Sequence, residues 1–98
     1  MDDAKFQWDE NKAASNHAKH GVSFDVARRV FTDAFAVDQI DDRQAYDEER
    51  FTLTGIAEGH VLFVVYTLRG ETIRIISARG AEPNEERDYY DHLTGNRT

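Results

Sequence analysis

The sequence predicts an α+β domain, an antiparallel sheet meander with helices laid on it, and three observations predict it. In residues 61–79, two apolar, β-branched runs flank the break Arg69-Gly70-Glu71, the pattern of strand, tight turn and strand. Strand-like segments follow one another through short polar connections from Phe35 to Arg79. Helical segments with recognisable caps precede this run and follow it.

Taken in order, Lys5-Phe6-Gln7-Trp8 alternates polar and apolar, which suits a short first strand. Asp9 stands where an N-cap belongs, Glu10 favours the first turn, and Gly21 is the natural stop of a helix ending near Lys19 or His20. Ser23 caps a second helix expected to run from Phe24 to about Thr32, with Phe24, Ala27, Val30 and Phe31 on its buried stripe. Phe35-Ala36-Val37 reads as a brief strand, and residues 50–57 as a longer one that turns at Glu58-Gly59-His60. Residues 61–66 are apolar at every position, so this strand needs cover on both faces and belongs at the centre. Gly80 breaks the last strand, and Pro83 sits at a first-turn position for a final helix over residues 84–93. The tail from Thr94 to Thr98 is expected to fray. The predicted order is β-α-α-β-β-β-β-α.

The 98 residues suit one domain spanning positions 1–98, with one modest core. The absence of cysteine excludes disulfides and thiolate metal sites. No apolar run approaches the roughly 20 residues of a membrane span, and Met1-Asp2-Asp3-Ala4 lacks the basic start of a secretory leader, so a cytoplasmic domain is expected. The net charge of −7 argues against nucleic acid, but the acids are clustered. Residues 38–49 hold six acids against Arg43, and residues 82–91 hold five against Arg87. Outside them the chain has slightly more bases than acids, so a local basic patch is compatible with the total, and the acidic segments suit a basic protein partner.

Several residues stand out as candidates. Lys12, Asn16 and Lys19 or His20 follow helical spacing, so they can share one polar face able to grip phosphates, or form an ordinary solvated face. His17 and His20 lack an acid at helical spacing, and no metal site is expected. Glu48 and Arg50, two apart at a strand entrance, can point the same way as an ion pair that orients a guanidinium. Arg74 and Arg79 have opposite parity and so fall on opposite faces unless a bulge intervenes. Of Tyr89 and Tyr90, one packs on the sheet and the other is available to stack or to move a proton. The two helices around Lys19-His20-Gly21 also allow a helix-turn-helix reading, but helix two offers only Arg28 and Arg29 to a duplex.

Phe6-Gln7-Trp8-Asp9, Asn11-Lys12-Ala13-Ala14-Ser15-Asn16, Lys19-His20-Gly21-Val22-Ser23-Phe24, Glu48-Glu49-Arg50-Phe51, Val65-Tyr66-Thr67-Leu68-Arg69-Gly70 and Arg74-Ile75-Ile76-Ser77-Ala78-Arg79 together resemble BrnT-type toxins, over residues 6–90. The resemblance implies a RelE-like ribonuclease fold that cleaves RNA and arrests translation and growth, without metal or cofactor. It also implies neutralisation by a BrnA-like ribbon-helix-helix antitoxin, through which the pair reaches operator DNA. Carried over by position, Arg50, Arg79 and Lys19 would stabilise phosphoryl charge. Glu48 or His20 would be the base, Tyr89 or His20 the proton donor, and Lys12 and Arg74 would bind RNA. After Arg79 the chain departs from the family's basic stretch: Glu82, Glu85 and Glu86 lie between Gly80 and Tyr89. A catalytically weak protein acting as an antitoxin-bound co-repressor is the alternative that this departure favours.

Overall fold

The computed structural model describes residues 5–43 and 47–95, and residues 44–46 of the expected connection and 96–98 of the expected tail lie outside them; Thr94, expected to fray, ends the last helix, which Gly95 caps. The elements are β1 (Lys5–Gln7), α1 (Glu10–His20), α2 (Phe24–Ala27) continued by a 3-10 turn (Arg28–Thr32), β2 (Val37–Ile40), β3 (Phe51–Ala57), β4 (His60–Arg69), β5 (Thr72–Gly80) and α3 (Pro83–Thr94).

The local chemistry sets the element ends. The Asp9 carboxylate accepts the N–H groups of Asn11 and Lys12, at 2.8 and 3.1 Å, and left-handed Gly21 closes α1. Ser23 accepts from the Val26 N–H and caps α2. The second helix is shorter than its stripe suggests: after Ala27 it tightens into the 3-10 turn, as helix ends commonly do. Pro83 opens α3 at the expected position.

The sheet order is β1-β5-β4-β3-β2, with β4 central. Strands β2 to β5 form the expected antiparallel meander. The sheet as a whole is mixed, because β1 pairs with β5 in parallel. Only strands joined by short turns must alternate direction, and β1 is separated from β5 by the rest of the fold. β2 begins where the expected brief strand ends, because Asp38 is satisfied inside it by the Tyr66 hydroxyl at 2.8 Å.

Alternation divides the sheet into two faces. Phe51, Leu53, Val64, Tyr66, Ile75 and Ala78 lie on the face covered by the first helices, where Phe24, Ala27 and Val30 complete the core. Fully burying a side chain such as Val64 contributes about 1.5–3 kcal/mol. Aromatic rings close the margin: Phe31 meets Phe6 and Tyr66 edge-on at 5.3 and 5.0 Å.

Past Arg74, β1 no longer covers the edge of β5. Asn16 closes that edge from α1. Its carboxamide donates to Ala78 O at 2.8 Å and accepts from Ala78 N at 3.2 Å, and it also donates to Val22 O at 3.0 Å. Asn16 is therefore buried in the helix–sheet seam, away from the polar surface on which Lys12 and Lys19 stay exposed.

Candidate functional site

A β-bulge decides what the second face of the sheet displays. Val65 pairs with Ser77 and Tyr66 with Ile75, so Ile76 is the extra residue. Beyond it the parity of β5 is reversed. Arg74 opposes Thr67 and Arg79 opposes Phe63, and Thr67 and Phe63 share the face that also carries Thr52, Thr54 and Val65. Both arginines thus stand on one face. Arg50, one residue before β3, has the parity of Thr52 and adds a third cation to that side.

The arginines are positioned by different partners. Arg74 donates to the Gln7 side chain at 2.6 Å. Arg79 stands over the Phe63 ring, 4.2 Å from its centroid, and forms a two-point ion pair with Glu85, at 2.8 and 2.9 Å. Arg43, not singled out from the sequence, approaches the same ring at 5.7 Å, and Asp41 grips it by two bonds of 2.7 and 2.8 Å. Burial pushes the Glu85 carboxyl up, but the bonds from Arg79 and the Glu82 N–H, with the charges of Arg79 and Arg43, hold it below the ordinary range. The Glu85 bond raises Arg79 in turn, against a smaller opposing effect of burial. Arg43 was hidden in an acid-rich segment, where Asp41-x-Arg43 was the available signal.

Tyr89 is buried under α3 and donates its hydroxyl to Asp33 at 2.6 Å. Asp33 also accepts the N–H groups of Ile56 and Phe35, each at 2.9 Å. Burial pushes the Asp33 carboxyl up, yet these three bonds outweigh it and hold the group low; burial and Asp33 push the Tyr89 phenol well up. Tyr89 thus has the position of an anchor for α3, and Tyr90, 43% exposed, is the available phenol.

The remaining candidates lie elsewhere. Glu48 accepts from Arg69 at 3.1 Å, rather than forming the pair with Arg50 that their spacing suggested. The register places Phe51 opposite Tyr66 and Thr54 opposite Phe63 and Arg79. Arg50 and Arg79 are therefore four residue steps apart along the strands, roughly 13 Å at strand rise. Lys19 and His20 belong to the last turn of α1. His20 enters a cleft of about 580 Å³ with His17, Glu58, His60, Glu86 and Tyr90. Gly80 also lines it, and the Arg79 guanidinium donates to Gly80 O at 3.1 Å, which ties this cleft to the arginine face. The structure thus brings His20 and Arg79 to one end of the sheet, puts Arg50 and Arg74 further along the same face as Arg79, and leaves Glu48 beside Arg69 and Lys12 on the outer helix surface. Among the described residues, no three His, Cys, Asp or Glu form a metal-holding group. No helix among them is long and apolar enough to cross a membrane.

No curated protein matches the chain. A family model described as ribonuclease toxin, BrnT, of type II toxin-antitoxin system matches residues 8–85. The matched stretch takes in Lys12, Lys19, His20, Glu48, Arg50, Arg74, Arg79 and Glu85, and stops before the two tyrosines of α3. The chain, over most of its length, belongs to the BrnT family of ribonuclease toxins of type II toxin–antitoxin systems.

Proposed function

We propose that this chain is a RelE-like endoribonuclease that cleaves RNA without a resident metal and arrests translation and growth, with RNA running along the arginine-bearing margin of the sheet. Family membership is the observation that carries the reading. The bulge supports it by turning Arg74 and Arg79 to the same side. In the reaction a ribose 2′-OH attacks the adjacent phosphorus and gives its proton to a base. The P–O5′ bond breaks, the departing oxygen takes a proton, and the products are a cyclic phosphate and a 5′-OH. Arg79 and Arg50 hold phosphoryl charge, with Arg74 further along the strand and Lys19 beside the cleft. In this reading His20, in the cleft that Gly80 also lines, moves the protons. Tyr89, bound to Asp33, anchors the helix behind it. Glu48, bound to Arg69, orders the entrance of β3. Lys12 contacts RNA only where the strand wraps onto α1.

A BrnA-like ribbon-helix-helix antitoxin would silence the toxin through a basic segment that matches its acidic surface, and carry the pair to operator DNA. The ion pairs Arg79–Glu85 and Arg43–Asp41 favour a second reading, in which catalysis is weak and the chain acts mainly as a co-repressor.

Induction in a bacterial host separates the two, with growth and total RNA followed. Arrest with RNA loss that Arg79→Ala abolishes and the antitoxin rescues is the expected result. Normal growth at confirmed soluble expression, unchanged in Glu85→Gln, would leave the co-repressor reading.

A further inference from the structure

The cleft at the end of α1 holds more chemistry than a single catalytic histidine uses. Its rim carries three imidazoles, His17, His20 and His60, the Tyr90 phenol, and the carboxylates Glu58 and Glu86. Val22, Val26 and Leu62 supply an apolar floor. At about 580 Å³ it lies within the size range of small-ligand sites. Aromatic rings beside apolar side chains suit a planar heterocycle, since bases stack on aromatic faces. Carboxylates only accept hydrogen bonds, so they select a ring edge that donates. Guanine presents adjacent N1–H and N2–H donors, which one carboxylate accepts together.

Two further observations point the same way. Glu58 adopts φ 52, a left-handed backbone uncommon for a residue with a long side chain, at the first position of the Glu58-Gly59 turn where asparagine or glycine fits better. Among the described residues its carboxylate has a loose neighbour, Arg29 at 3.7 Å, with both side chains more than half exposed. And Gly80, which lines the cleft, directly follows Arg79 and accepts from its guanidinium at 3.1 Å, so the cleft borders the arginine that the ribonuclease reading gives the phosphate.

We infer that this cleft is a base-binding subsite that takes guanine next to the cleaved phosphate, with Tyr90 and His60 stacking on the ring and Glu58 or Glu86 reading its donor edge. The inference rests on the ribonuclease reading, but binding is measured apart from cleavage. The full chain is titrated with the four nucleoside 3′-monophosphates, with inorganic phosphate and with N-acetyl-arginine amide, following the ring resonances of His17, His20, His60 and Tyr90 by NMR. Guanosine 3′-monophosphate should shift these rings at the lowest concentration, and phosphate alone should not. Tyr90→Ala should weaken that binding roughly tenfold. Glu58→Gln and Glu86→Gln together should erase the preference for guanosine, with folding confirmed by an unchanged backbone spectrum. Equal response to all four nucleotides overturns the guanine assignment. Shifts produced by phosphate alone, or by the arginine amide and not the nucleotide, overturn the base subsite. RNA loss in cells with no nucleotide in the cleft sinks this inference and leaves the ribonuclease. Guanosine binding in the cleft without RNA loss does the reverse.

Discussion

The two faces of the sheet are held by different forces. The helix-covered face is a continuous apolar layer, with Val64, Ala78, Ala27 and Val30 fully buried. Its polar groups are few and fully engaged, such as Asn16 on Ala78 and Tyr66 on Asp38. The other face has its own buried layer, Thr52, Thr54, Val61, Val65 and Thr67, and its margin is held by polar pairs: Arg79 on Glu85, Arg43 on Asp41, Tyr89 on Asp33. Apolar contacts are indifferent to pH and to anions. Ion pairs at a half-exposed surface respond to both. The first face thus stores stability in its core, while the charged margin of the other remains exchangeable for a ligand, and each part of that contrast can be tested.

The largest expected effect is on the covered face. Asn16→Ala leaves the N–H and C=O of Ala78 without their side-chain partner, and should cost about 2–4 kcal/mol in urea denaturation. A loss under about 0.5 kcal/mol would mean that something else closes the edge of β5.

A smaller effect belongs to the other side. Tyr89→Phe removes the donor to Asp33 and should cost about 1–2 kcal/mol near neutrality. Its signature is the pH profile. Asp33 is held below the ordinary carboxylate range in the fold, so its contribution is complete above that range and is lost as pH falls through the folded value. Tyr89 is raised, so its contribution is complete below about pH 10 and is lost as pH rises through the folded value. The Phe variant should show a flatter stability curve at both ends. An unchanged curve would break the claimed division between the faces.

The smallest effect has the opposite sign. Glu58→Asn relieves a left-handed backbone that asparagine tolerates better, and should raise stability by about 0.5 kcal/mol while weakening guanosine binding. A gain in stability with unchanged binding would assign Glu58 to the turn alone.

Much of the frame was legible in the residues, because caps are local. Asp9, Gly21, Ser23 and Pro83 each act within one helical turn, and each stands where the sequence placed it. The parallel edge was not legible: β1 lies beside β5 through tertiary packing, and no turn announces that pairing. The same holds for Asn16, whose spacing allowed a polar face but whose partner lies 62 residues away. At the candidate site, residue types were readable and their grouping was not. Glu48 and Arg50 have the parity of a pair, yet Arg69, brought in by β4, takes Glu48. The choice between Tyr89 and Tyr90 depended on Asp33, far upstream in the chain.

The extra residue in β5 also constrains how the chain can change. Ile76 acts as a phase shifter: on either side of it the strand obeys the same two-residue rhythm, half a period out of step. Losing that one codon would leave a regular strand and a readable sequence, but turn one half over. Either Arg79 would face the first helices, or Ile73 and Ile75 would leave that core for the arginine side. Point substitutions can be absorbed one side chain at a time, but a single-residue deletion here inverts a whole block. Length in this strand should therefore be more tightly held than identity, and a library of one-residue deletions should find its sharpest intolerance between Ile75 and Ser77.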